Sequence, residues 1–138
     1  MGLPRLRRPL ASGNDDAVTP RVLVVDDSPH FRDAAAVLLA ERGIELLAEA
    51  GDEEQALDAA VRVRPDGILL DINLPGRDGF AVAAALAAAC PGARIVLTSA
   101  NFAFVPDQLL RDCAAVAFVP KEELAGADLR ALFTPAGT

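Results

Sequence analysis

Gly67-Ile68-Leu69-Leu70-Asp71-Ile72-Asn73-Leu74-Pro75-Gly76 is the stretch whose reading decides the fold. An apolar run without alternation reads as a strand covered on both faces. It ends in a carboxylate, Asp71, shortly before a Pro-Gly turn. In α/β sheets, ligands and chemistry collect beyond the carboxyl ends of the strands. Three other apolar runs end in the same way. Val22-Leu23-Val24-Val25 ends at Asp26 and Asp27, Ile95-Val96-Leu97 at Thr98 and Ser99, and Val116-Ala117-Phe118-Val119 just short of Lys121. Three acids, a hydroxyl pair and a lysine thus stand at strand ends, and the remaining chain reads as the scaffold that gathers them.

Outward from these runs, strands alternate with helical patterns. The first strand covers 21–25. Ser28 as N-cap and Pro29 at the first helical position open a helix to about Arg42, which Gly43 stops. A weaker edge strand covers 44–49. Asp52 then precedes a helix with Ala56, Leu57, Ala60 and Val61 on one face, ended by Pro65. After the strand at 67–71 come an alanine-rich helix over 80–89 and a strand over 94–98. An irregular lead-in follows, with a short helix from Asp107, a strand over 115–119 and a last helix over 124–133. Strand–helix repeated five times predicts an α/β fold, a doubly wound five-stranded parallel sheet with helices on both faces. Residues 1–20, broken by prolines and glycines, read as a flexible N-terminal tail, 21–134 as one domain and 135–138 as a C-terminal tail.

Composition narrows the function. The 138 residues carry a formal net charge of −7 and no tryptophan or tyrosine. Acidity argues against direct DNA binding through the phosphate backbone, and the scarcity of aromatics against base stacking. Cys90 and Cys113 fall in no metal-ligand spacing and read as reduced thiols. No apolar run reaches the roughly 18 residues of a membrane span, and no signal peptide follows Arg5, Arg7 and Arg8. The expected place is the cytoplasm, with no membrane partner.

Three carboxylates forced together repel, and their pKa values rise unless a charge offsets them. A hard divalent cation with oxygen ligands does so, and Mg²⁺ fits, because it takes one or two carboxylates and keeps several waters. A carboxylate beside such a cation is a plausible nucleophile toward a phosphoryl group. The phosphoryl oxygens would then find the metal, an ammonium (Lys121) and a hydroxyl (Ser99 or Thr98) as partners.

These residues resemble the receiver domain of two-component response regulators. The resemblance rests on Val24-Val25-Asp26-Asp27-Ser28, Leu69 to Gly76, Asp78-Gly79, Leu97-Thr98-Ser99-Ala100 and Phe118-Val119-Pro120-Lys121, and spans about 21–133. It implies a flavodoxin-like fold with strand order 2-1-3-4-5. It makes Asp71 the phosphoacceptor, and Asp27, Asp71 and the backbone carbonyl of Asn73 direct Mg²⁺ ligands. Asp26 would act mainly through a metal-bound water, and Lys121 would pair with Asp71 and then with its phosphate. A small residue follows both hydroxyls, and counting from Pro91-Gly92 with Ala100 as the follower favours Ser99 over Thr98 as the switch hydroxyl. Phe118 matches the aromatic switch, and Asn73 and Asn101 the positions that tune dephosphorylation.

The resemblance further implies a sensor histidine kinase or phosphotransfer protein as donor. A downstream protein would be read through the face of the fourth helix, fifth strand and fifth helix, and a homodimer is a further possible assembly. The expected protein is a stand-alone receiver and no turnover enzyme beyond its own phosphorylation and dephosphorylation. A phosphorylation-independent binding module is the alternative. Its support is Glu122, where the family usually has proline after the lysine, together with the irregular 101–106 segment. Asn73 argues against a haloacid-dehalogenase-type phosphatase, which needs a carboxylate two residues after its nucleophile.

Overall fold

The computed structural model describes residues 19–135, so the 1–20 tail lies almost wholly, and the 135–138 tail largely, outside the described residues. Five parallel strands are ordered β2-β1-β3-β4-β5. They are β1 (Arg21–Val25), β2 (Glu45–Ala50), β3 (Gly67–Asp71), β4 (Arg94–Ser99) and β5 (Ala117–Pro120). The helices are α1 (Pro29–Glu41), α2 (Glu53–Val63), α3 (Gly79–Ala89), α4 (Asp107–Asp112) and α5 (Leu129–Phe133). This is the expected flavodoxin-like order.

The unalternating apolar runs do what their composition requires, because each supplies two cores. Leu23, Val25, Ile68, Leu70, Ile95 and Leu97 pack with Ala56, Ala60, Val82 and Leu86 of α2 and α3. Their neighbours Val22, Val24, Leu69 and Val96 pack on the opposite face with Ala35, Leu39, Leu129 and Phe133 of α1 and α5. Each buried branched side chain contributes roughly 1.5–3 kcal/mol relative to exposure. Two glycines make room for this packing. A Cβ on Gly67 would lie 2.2 Å from the Phe133 ring, and one on Gly79 would lie 2.3 Å from the Ile72 carbonyl oxygen. Gly79 therefore lets the start of α3 press against the backbone next to Asp71.

Helix starts follow the sequence closely. The Ser28 hydroxyl accepts from the Phe31 amide at 3.1 Å, and Asp52 and Asp78 cap α2 and α3 in the same manner. On α2 the buried residues are Ala56, Ala59 and Ala60, whereas Val61 faces solvent. The last expected helix divides in two. Lys121–Gly126 is a 3-10 helix, and the chain restarts as α5 after Asp128, whose carboxylate accepts from the Ala131 amide. Gly126 weakens the helix between the two pieces, and Asp128 is a better cap than interior residue. The Arg42 guanidinium ties this segment to α1 by donating to the Ala125 and Ala127 carbonyls. No described helix is long and apolar enough to cross a membrane.

Candidate phosphoacceptor and metal site

The register brings the strand ends level. Val25 lies opposite Leu70, Asp71 opposite Thr98, and Ser99 opposite Pro120. Asp26 and Asp71 are buried, while Asp27 is exposed at the mouth of the site. One carboxylate oxygen from each of the three lies within 4.8 Å of the other two. The Asp26 Oδ1 atom accepts from the Ser28 amide, and the Asp71 Oδ1 atom from the Asn73 amide, both at 2.8 Å. Lys121 meets the remaining oxygens, with its Nζ 2.8 Å from Asp26 Oδ2 and 3.4 Å from Asp71 Oδ2.

The electrostatics follow from this crowding. Burial raises the Asp71 carboxyl above its ordinary range and the Asp26 charge adds to the rise, against the opposing pull of the Asn73 amide and Lys121. Burial disfavours the Lys121 ammonium, but Asp26 and Asp71 outweigh it and raise its pKa. Lys121 is therefore a cation at neutral pH, facing two carboxylates that one ammonium does not neutralise.

Asp26 Oδ2 is buried and receives no well-directed hydrogen bond, only the Lys121 ion pair. An all-oxygen donor set with an under-satisfied buried carboxylate suits a hard cation such as Mg²⁺. Asp27, which ends exposed beside two buried acids, is placed to complete such a set.

The two candidate hydroxyls separate cleanly. Both are fully buried, and their partners differ: the Thr98 Oγ1 donates to the Val119 carbonyl at 2.7 Å, so it joins β4 to β5. The Ser99 hydroxyl donates to the Asn73 side-chain oxygen and accepts from the Asn101 amide at 2.9 Å. Ser99 thus contacts both residues read as tuning positions. Phe118 is half-buried and packs against the core on the α2–α3 face. Two residues near the acids escaped the sequence reading. The Phe31 ring lies 4.2 Å from Lys121 Nζ, and the Arg32 guanidinium donates to the Asp26 carbonyl at 2.6 Å while pairing with Glu49 at 3.2 Å. The available signal was the Ser28 cap, which sets both residues in the turn directly after the paired acids.

The fold and the acid cluster define a receiver, and the family model for the response regulator receiver domain matches residues 22–132. The chain belongs to that family. Among curated relatives, the transcriptional regulatory protein PdtaR of Mycobacterium tuberculosis is 34% identical over 107 residues, covering 78% of this chain and 52% of PdtaR. The chain thus spans about half of that relative. A protein-glutamate methylesterase/protein-glutamine glutaminase of Myxococcus xanthus is 46% identical over 81 residues, 58% of this chain but only 22% of the relative. Among solved structures, a LuxR-family response regulator from Aurantimonas is similar with a TM-score of 0.74 and 25% identity, covering 83% of each chain. The chemotaxis protein CheY4 of Vibrio cholerae has a TM-score of 0.70 and 26% identity, covering 83% of this chain and 97% of its own.

Proposed function

We propose that the domain, over 21–134, is a phosphorylation-controlled switch in which Asp71 accepts a phosphoryl group from a phosphohistidine donor, a sensor kinase or phosphotransfer protein, in the cytoplasm. The supporting observation is the convergence of Asp26, Asp27 and Asp71 on one point with Lys121 against two of them. An Asp71 oxygen attacks the phosphorus, the P–O bond forms, and the P–N bond to the donor imidazole breaks with its electron pair staying on the imidazole nitrogen. Lys121 leaves part of its pairing with Asp26 and Asp71 for a phosphoryl oxygen. The Ser99 hydroxyl turns from Asn73 to a second one, and Asn73 and Asn101 then govern access of water to the acyl phosphate. Asp26, Asp27, Asp71 and the Asn73 carbonyl are the residues that would hold Mg²⁺. When bound, the ion supplies the positive charge that lets a phosphoryl group approach three carboxylates.

The two phosphorylation states bias a conformational equilibrium that a partner protein reads on the α4–β5–α5 face. Phe118 is carried by β5, one of the elements of that face. The test is exposure to a small phosphodonor such as acetyl phosphate, with intact-mass detection and amide shifts on addition of beryllofluoride. The expected result is one Mg²⁺-dependent phosphoryl adduct, absent in Asp71→Asn, with shifts reaching Ser99 and Phe118. Full partner-type signalling without any Asp71-dependent adduct would establish the binding-module alternative instead.

A further inference from the structure

Lys121 is the first residue of the 3-10 helix, and its side chain, an ammonium on a flexible four-carbon stem, is 21% exposed. Two carboxylates hold it on one side, at 2.8 and 3.4 Å. On another side lies the face of Phe31, with its centroid 4.2 Å from Nζ, inside the roughly 6 Å range in which a ring quadrupole attracts a cation.

Phe31 is not placed there by packing alone. Asp26 Oδ1 accepts from the Ser28 amide at 2.8 Å, and the Ser28 hydroxyl accepts from the Phe31 amide at 3.1 Å. Asp26 Oδ2 then meets Lys121, which meets the Phe31 ring. The contacts close a circuit, Asp26 to Ser28 to Phe31 to Lys121 and back to Asp26. One carboxylate sets both the helix start that carries the ring and the ammonium that the ring faces.

We propose that Phe31 is a positioning residue for Lys121, holding the ammonium at the acid cluster through its ring face. The idea rests on the reading of Asp71 as phosphoacceptor and goes beyond it by assigning a residue of α1 to the site. A ring face carries no lone pair to hold a particular N–H, so the ammonium can pivot from Asp26 toward a phosphoryl oxygen without losing this contact. A second carboxylate or a carbonyl at the same place would resist that pivot. The competing role for Phe31 is apolar lining. It borders a groove of about 420 Å³ with Ala34, Leu38, Leu124 and Ala125. Leucine would fill that role as well as phenylalanine, and the two accounts therefore diverge on substitution.

The experiment compares wild type, Phe31→Leu, Phe31→Tyr, Lys121→Met and the double variant Phe31→Leu/Lys121→Met. In the metal-free protein, the Lys121 ε-methylene protons should be shifted upfield by the ring in wild type and Phe31→Tyr, and return toward ordinary lysine values in Phe31→Leu. With Mg²⁺, beryllofluoride affinity should fall about threefold to tenfold in Phe31→Leu, the range of a partly desolvated cation–π contact. Tyrosine should restore it, and Phe31→Leu should change nothing further once Lys121 is methionine. An unshifted Lys121 in wild type, wild-type affinity in Phe31→Leu, or an equal loss in the Lys121→Met background would each overturn the proposal. Wild type that shows the ring shift but takes up no beryllofluoride overturns the phosphoacceptor reading and, with it, the role given to the contact.

Discussion

Asp26, Asp71 and Ser99 end three strands with one local motif: the side-chain oxygen accepts from the amide two residues on, at 2.8, 2.8 and 2.9 Å. What surrounds the motif then differs. On the β1–β3 side the oxygens left over are buried and face an ammonium. On the β4 side the hydroxyl faces Asn73, an exposed neutral amide. The segment beyond it has no helix or strand until Asp107 and leaves Phe102 and Phe104 exposed. Buried charge pairs cost several kcal/mol to disrupt, whereas a neutral hydrogen bond, even one from a buried hydroxyl such as Ser99, is worth about 1 kcal/mol. On the proposed function, the first side holds the reacting groups in place and the second changes partners when the phosphoryl group arrives.

The largest break in this contrast is Lys121→Ala. It leaves Asp26 and Asp71 facing one another with no cation between them. Removing one member of a buried pair costs about 3–5 kcal/mol, and the partial exposure of Lys121 places the expected loss nearer 2–3 kcal/mol. Chemical denaturation of metal-free protein at neutral pH measures it. Mg²⁺ should restore part of the loss, because a cation then occupies the acid cluster. An unchanged midpoint would show that the acids are not held against one another by fixed structure.

A smaller effect concerns pH. Asp71 has a folded pKa above its ordinary 3.8, so its ionised form is disfavoured by folding. Its contribution is most favourable below 3.8 and is lost as pH rises through the raised value. Lys121 is also raised, above 10.5, so its contribution is fully present below 10.5 and disappears only above its folded pKa. Between these limits, metal-free wild type should gain stability on mild acidification relative to Asp71→Asn. With Mg²⁺ the trend should reverse, since protons and metal compete for one carboxylate. Thermal unfolding of both proteins across mildly acidic and neutral pH, with chelator and with Mg²⁺, measures the crossing.

The fold and the charged half of the site were legible in the sequence for the same reason. Unalternating runs such as Val22–Val25 and Ile68–Leu70 can only be strands with two covered faces, and a polar residue ending such a run must lie at the edge of the sheet. Asp26, Asp71 and Lys121 follow directly. Less legible was everything that depends on where a side chain goes after the strand ends. Splitting the last helix at Gly126 and Asp128 is a competition between propensity and capping that helical spacing does not reveal. Nothing in the sequence ties Phe31 to an ammonium, because the cation over its ring comes from Lys121, 90 residues later in the chain. Thr98 and Ser99 are adjacent hydroxyls, and only their register against Val119 and Asn73 separates them.

That pair also gives the finest test of the comparison, since the two hydroxyls are adjacent on β4, with Thr98 tied to the β5 backbone and Ser99 to the loop residues Asn73 and Asn101. Thr98→Val keeps the shape and removes the 2.7 Å bond to the Val119 carbonyl, a half-buried acceptor on β5. The expected cost is about 1–2 kcal/mol of stability with beryllofluoride-induced shifts still reaching Phe118. Ser99→Ala removes a buried hydroxyl whose partners, the Asn73 side chain and the Asn101 amide, belong to exposed residues. Stability should change by about 1 kcal/mol or less. The shifts at Asp27 and Asp71 should remain while those at Phe118 shrink. Denaturation and amide spectra on the same two samples separate the effects. If Thr98→Val were instead the variant that silenced Phe118, the hydroxyl that reads the phosphoryl group would lie inside the sheet. The division between a fixed charged side and an exchanging neutral side would then fail at β4.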